Sequence, residues 1–162
     1  MRLFTIMVGL AVAALIIVAL AAPALGAPAD DEAVFLSMVN DDRAEEGLSP
    51  ILRDYDLELE ARSWSQVMAD RGEIFHAPGE TIVNGRDHWA WMGENVGVGP
   101  LDVEVMFDAF MASPPHREQV MRPYARLVGI GVVHQDGRMW MTHRLLEPSK
   151  PIIGLWFDNP KR

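Results

Sequence analysis

The chain has 162 residues, no cysteine and a formal net charge of −9, from 23 acidic and 14 basic side chains. Without cysteine it forms neither disulfides nor thiolate metal sites, so an exported form must rely on its packed core for stability. The excess of negative charge disfavours nucleic acid and anionic membrane surfaces as partners, because both repel an acidic protein.

The N-terminus, residues 1–26, has the layout of a secretory signal peptide. Arg2 gives it a positive start, residues 3–22 are almost entirely apolar, and Pro23 to Gly26 bring helix breakers and small residues. The apolar stretch also matches the roughly 20 residues that span a bilayer, so an uncleaved signal anchor stays open. We expect an exported protein of bacterial type, secreted or anchored on the outer face of the cytoplasmic membrane, with membrane contact through residues 1–26.

Beyond this segment the sequence indicates one domain. Residues 27–31 are predicted to form a linker, residues 32–147 the domain, and residues 148–162 a C-terminal tail. A domain of this length can bury a sizeable core. The tail combines prolines with apolar side chains, so we expect it to pack on the domain or to meet a partner.

The first half of the domain shows two amphipathic helical patterns. The first spans Asp31–Glu46, where apolar residues form one stripe and acidic residues cover much of the rest. After an extended linker, Leu48–Leu52, a second helix runs to about Arg71. Asp54 or Asp56 is expected to cap the start of this helix.

The middle of the domain is expected to contain less regular structure. Residues 74–98 are rich in glycine and tryptophan and are predicted to form loops and short strands. A third helix follows over Asp102–Ala112, with Asp102 as its N-cap, and Ser113-Pro114-Pro115 is expected to end it. A short helix, His116–Met121, is predicted next.

The clearest strand pattern lies near the end of the domain. Val128–His134 and Arg138–Leu146 read as strands, and Gln135-Asp136-Gly137 supplies hairpin turn chemistry between them. Helices first and an antiparallel hairpin last indicate an α+β fold, with helices packed on a small, mainly antiparallel sheet.

Histidines are the first candidates for chemistry, at five positions: His76, His88, His116, His134 and His143. The two on the hairpin strands, and the loop histidine beside Trp89, are expected to be structural. His76 closes the segment after the second helix, and His116 follows a Pro-Pro break, with Glu94 between them in Gly93-Glu94-Asn95. Trp89 and Trp91 are candidates to line the mouth of a cleft.

A series of segments, in this order, resembles the cysteine-rich secretory protein, antigen 5 and pathogenesis-related 1 superfamily (the CAP or SCP domain) in its bacterial form. The segments are Phe35–Gly47 with Asn40 and Arg43, Leu57 with Ala61, Phe75-His76, Gly93-Glu94-Asn95-Val96, Phe110–Arg117 and Val128–Val132.

The resemblance implies an α-β-α sandwich with a central cleft, where His76, Glu94 and His116 converge. In several family members the two histidines bind a divalent metal, often zinc. Two neutral imidazoles beside a carboxylate suit zinc or another divalent cation, with an open position for water. Glu94 is then either a ligand or the group that orients an imidazole from outside the ligand set.

The chain also departs from the family pattern. Ser113 stands where many eukaryotic members have a second cleft glutamate, and neither Glu104 nor Asp108 clearly replaces it. Pro115 stands where glycine is usual, and Thr142–Leu145 differs from the usual strand motif.

For the function we expect, foremost, an extracellular binding or interaction module whose ligand is a lipid, a cell-envelope component or another protein. One alternative is a metal-dependent hydrolase, with zinc activating water and Glu94 as general base. Another is a structural cell-envelope protein. The sequence contains neither a His-Glu-x-x-His helix nor a Gly-x-Ser-x-Gly elbow in support of an enzyme.

Overall fold

The computed structural model describes residues 26–79 and 89–150. The elements in chain order are α1 (Pro28–Glu45), β1 (Leu52–Arg53), α2 (Tyr55–Arg71), β2 (Trp89–Gly99), α3 (Val103–Ala112), α4 (Pro114–Val120), β3 (Leu127–Gln135) and β4 (Arg138–Pro148). The predicted signal segment up to residue 25, His88 and residues 151–162 of the predicted tail lie outside the described residues. Within the described ranges, no helix is long and apolar enough to cross a membrane.

The strands form a four-stranded sheet in the order β1-β3-β4-β2. β4 pairs antiparallel with both β3 and β2, whereas the short β1 runs parallel to β3. Asp136 and Gly137 join the hairpin with positive φ angles of 52° and 71°, as a tight two-residue turn requires. The predicted α+β fold with a mainly antiparallel sheet is confirmed.

Helices cover both faces of this sheet and so complete the α-β-α sandwich. α2 lies on one face, close to β3, because a Cβ at Gly129 or Gly131 would collide with the α2 backbone. The intervening β3 residues point to the other face, where α1 and α3 pack around Phe35. The Phe35 ring meets Phe107 and Phe110 edge to face, at centroid distances of 5.5 and 5.8 Å.

All described buried apolar side chains fall between Phe35 and Leu146. A chain that begins at Ala27 therefore keeps the whole described core. Arg43 is buried with them, and its guanidinium donates to the carbonyls of Ser49, Val120 and Arg122 at 2.7–3.0 Å. Burial, and then the charge of Arg126, lower the pKa of Arg43 to about 10. This side chain ties α1 to the end of α4.

Two helix starts differ from the prediction. α1 begins at Pro28, inside the predicted linker 27–31, because proline suits the first turn and the acidic side chains there favour the positive helix end. α4 begins at Pro114 for the same reason, so the two prolines open this helix two residues before His116. The predicted caps of the other helices are confirmed: Asp54 accepts from Leu57 N, and Asp102 from the first turn of α3.

Two strands also differ from the prediction. Leu52, predicted as the end of the extended linker, pairs together with Arg53 against β3 as β1. Residues 74–98 were predicted to form loops and short strands, yet most of their second half belongs to the 11-residue β2. Glycine lowers the strand propensity of β2, and pairing with β4 along its length outweighs that local preference.

Candidate functional site

His76 lies in the loop after α2, and this loop is fixed on both sides of the histidine. Before it, Trp64 Nε1 donates to the Phe75 carbonyl at 2.9 Å, and the two rings pack edge to face. After it, Ala77 N donates to Glu94 Oε1 at 2.9 Å. The backbone at His76 is therefore held to α2 and to β2, while its side chain is 62% exposed.

Glu94 is buried in β2, and both of its carboxylate oxygens accept hydrogen bonds. Oε1 accepts from Ala77 N and lies 3.0 Å from His76 Nδ1, and Oε2 accepts from Arg144 Nε at 2.9 Å. An ionised carboxylate can only accept, so in that state the contact requires the proton on His76 Nδ1 and leaves Nε2 as the ring nitrogen available to a ligand. Metal-ligating histidines are commonly oriented by a carboxylate in this way.

Arg144 in β4 stands directly opposite Glu94 in β2. Its side chain is 3% exposed, and Nη1 lies 3.6 Å from Glu60 Oε2 on α2. Sequence reasoning noted this residue only as part of a departure from the usual strand motif. The signal was an arginine inside a long apolar strand run, since a buried guanidinium needs a partner.

His116 lies in the first turn of α4, and its ring packs edge to face on Phe110 at 5.1 Å. Its backbone carbonyl accepts from Asn95 Nδ2 at 3.2 Å. Burial, and then the neighbouring charge of His76, lower the pKa of His116 below its ordinary value of 6.5. The ring is therefore neutral at physiological pH, which is the form that ligates metals.

Two other histidines, His134 and His143, are not part of the cleft lining described below. His134 Nε2 is 2.7 Å from Asp31 Oδ2, so this side chain joins β3 to the start of α1. His143 is fully buried and packs edge to face on Phe35 at 5.3 Å. Burial lowers the pKa of His143 to about 3.

A cleft of about 490 Å³ opens beside β2. Its lining includes His76, Trp91, Glu94, Pro115, Glu118, Gln119 and Arg122. The Arg122 guanidinium lies 4.3 Å from the centre of the Trp91 ring, so Trp91 lines the cleft, whereas Trp89 does not. The polar residues of α4 in this lining were not predicted, because nothing in the sequence distinguishes them from ordinary exposed helix residues.

The second cleft glutamate of the family has no counterpart on α3. Ser113 is the N-cap residue of α4, and Glu104 and Asp108 are exposed side chains outside the cleft lining. Glu118 of α4 is the carboxylate that lines the cleft in addition to Glu94.

The cleft lining includes His76 but not His116. His76 Nδ1 contacts Glu94 Oε1, so its Nε2 lies outside that contact, and a protonated His76 would be near enough to lower the pKa of His116. Glu94 is already engaged by three donors, and no group of three or more metal-binding side chains is arranged around one point in the described residues. A cation at these histidines would need water or a bound ligand to complete its coordination.

Comparison with known proteins gives a family match over most of the domain. The sequence model of the Cysteine-rich secretory protein family (CAP) matches residues 36–142. The uncharacterized protein YkwD of Bacillus subtilis (strain 168) is 28% identical over 111 residues, which is 65% of this chain and 43% of YkwD. This chain therefore matches less than half the length of that relative.

Solved structures with the same fold include the following three. An outer surface protein from Borrelia burgdorferi has a TM-score of 0.67 at 16% identity, covering 74% of this chain and 93% of that one. An extracellular protein with an SCP domain from Bacillus anthracis str. Ames has a TM-score of 0.64 at 18% identity, covering 74% and 41%. NaASP2, solved with Zn²⁺, has a TM-score of 0.58 at 14% identity, covering 76% and 82%.

Proposed function

This chain belongs to the Cysteine-rich secretory protein (CAP) family, and from that premise we propose that it is an exported interaction module with a metal-capable cleft. His76 and His116 hold a divalent cation, zinc foremost, and Glu94 orients His76 without ligating the metal. The observation that carries this proposal is the 3.0 Å contact between His76 Nδ1 and Glu94 Oε1, which leaves Nε2 as the donor atom.

The chemistry of the two imidazoles supports the metal. Neutral imidazole is a good ligand for zinc, and two protein ligands leave coordination positions for a ligand donor atom. When bound, the cation supplies Lewis acidity and positive charge to a cleft that also contains Glu118. NaASP2, which shares the fold, was crystallised with Zn²⁺.

Export is the second part of the proposal. Residues 1–26 have the layout of a signal peptide or signal anchor. The Bacillus anthracis relative is an extracellular protein. The domain then acts outside the cytoplasmic membrane, on a lipid, a cell-envelope component or another protein, and the net charge of −9 disfavours nucleic acid.

The hydrolase alternative asks Glu94 to act as general base. Its hydrogen bonds weigh against that role, because one carboxylate oxygen accepts from Arg144 and the other from Ala77 and His76. A general base must be within reach of a substrate proton and able to accept it. The structural-protein alternative makes a different prediction: loss of both cleft histidines changes stability but no binding event.

The test is a calorimetric zinc titration of residues 27–162, which keep the described core. The wild type is compared with His76→Ala/His116→Ala, and His134→Ala is the matched control because His134 pairs with Asp31 outside the cleft. We expect about one equivalent of zinc in the wild type and the control, and none in the double variant.

Each outcome has a defined meaning when circular dichroism shows that all three proteins are folded. Zinc binding that persists in the double variant would place the metal elsewhere. A wild type that binds no zinc would remove the metal from the proposal. The interaction module would then be tested with lipid vesicles and cell-wall fragments, for which His76→Ala/His116→Ala remains the comparison.

A further inference from the structure

We propose that Arg144 is a positioning residue of the cleft, which acts through Glu94 to set the proton position and direction of the His76 ring. This inference rests on the proposed function, since His76 is the proposed metal ligand. Arg144 and Glu94 lie opposite each other on neighbouring strands, and each side chain is 3% exposed. Their contact is therefore shielded from water, unlike a surface ion pair.

The hydrogen bonds of Glu94 divide between its two oxygens. Arg144 Nε occupies Oε2 at 2.9 Å, which leaves Oε1 for the loop. Oε1 then meets both Ala77 N at 2.9 Å and His76 Nδ1 at 3.0 Å. Hydrogen bonds at both oxygens fix the plane of the Glu94 carboxylate. Rotation about χ3 of Glu94 would break all three contacts.

Charge explains why the residue opposite Glu94 is an arginine. A buried carboxylate without a compensating charge is strongly unfavourable, so loss of the guanidinium would favour rotation of Glu94 away from its present position. That rotation would remove the acceptor that faces His76 Nδ1. Glu60 also approaches Arg144, at 3.6 Å, so two carboxylates face one guanidinium.

The first test uses the metal-free wild type, residues 27–162, at neutral pH. Long-range ¹H–¹⁵N NMR spectra of the imidazoles report which ring nitrogen carries the proton. We expect His76 to be protonated on Nδ1. Protonation mainly on Nε2 would overturn the inference, and this measurement needs no variant to fold.

The second test removes the guanidinium. In Arg144→Met we expect a mixture of His76 tautomers and a zinc affinity lower by about 10–100-fold, the usual effect of losing a group that orients a metal ligand. Arg144→Lys keeps the positive charge and is expected to restore part of both. Arg62→Met is the matched control, because Arg62 pairs with Glu32 and Glu58 outside the cleft lining. It should leave the His76 tautomer and the zinc affinity unchanged.

The outcomes separate this inference from the proposed function. A folded Arg144→Met with wild-type tautomer and zinc affinity would overturn the positioning role while leaving the metal site intact. A fixed tautomer that is lost in Arg144→Met, in a protein that binds no zinc, would support the positioning role and remove the metal. If Arg144→Met does not fold, the Arg144→Lys variant decides, since an unchanged tautomer together with a 10-fold or greater loss of zinc affinity would contradict the inference.

Discussion

His143 makes the stability of the domain depend on pH. It is fully buried in β4 against Phe35, and neither ring nitrogen has a hydrogen-bond partner among the described residues. Burial favours the neutral ring and lowers its pKa from 6.5 to about 3. Below pH 6.5 the unfolded chain therefore binds a proton that the folded chain does not, and folding becomes less favourable as pH falls.

The size of the effect follows from the two pKa values. Each pH unit between them changes the free energy of unfolding by about 1.4 kcal/mol. At about pH 5, which is 1.5 units below the unfolded value of 6.5, the loss from this one group is about 2 kcal/mol. The loss continues until about pH 3, where the folded ring is protonated as well, and no stabilising contribution is lost above pH 7.

The assay is urea denaturation followed by tryptophan fluorescence at about pH 7.5 and about pH 5, on the wild type and His143→Leu. Leucine has a similar volume and does not titrate, so the wild type should lose about 2 kcal/mol more than the variant over this range. His134→Leu removes a histidine that is not fully buried. It should not reduce the pH dependence of the free energy of unfolding as His143→Leu does. Equal pH dependence in the wild type and His143→Leu would refute the buried neutral imidazole.

Two further substitutions test the packing and the N-terminal cap of α2 by the same denaturation assay. Gly131→Ala forces a Cβ into the backbone of α2 at Ala61 and Arg62, so we expect a loss of about 3 kcal/mol; wild-type stability would mean that α2 and β3 are further apart. Asp54→Ala removes the side chain that accepts from Leu57 N at 2.9 Å and should cost about 1 kcal/mol. Asp54→Asn should retain most of that stability, and an equal loss in both variants would contradict the cap.

Features that depend on neighbouring residues were predictable from the sequence. The caps of α2 and α3 and the Asp136-Gly137 turn each use a side chain or a backbone angle within a few residues. Such local interactions can be predicted from the sequence because the interacting residues lie within three or four positions of each other. The two proline-led helix starts are the exception, since the same residue breaks a helix interior and favours a first turn.

Features that depend on distant partners were not predictable from residue patterns. β2 reads as a glycine-rich loop until β4 is placed beside it, 50 residues later in the chain at the Glu94–Arg144 contact. The role of Arg144 as the partner of Glu94 could not be predicted for the same reason, because neither strand alone identifies the other residue. The family resemblance predicted that His76 and Glu94 lie together, but it did not predict that the Arg144 guanidinium binds Glu94.

The triplet Gly93-Glu94-Asn95 contacts His76 and His116 from opposite faces of the sheet. Glu94 points to the α2 face and contacts the ring of His76, whereas Asn95 points to the other face and donates to the backbone of His116. Gly93 has no side chain, and a Cβ there would collide with Gln119 and Trp91 of the cleft lining. Because strand side chains alternate, a one-residue shift of β2 would exchange the two faces and release both histidines. The register of β2 against β4, rather than the loop or the helix, thus determines whether the Glu94–His76 and Asn95–His116 contacts form together.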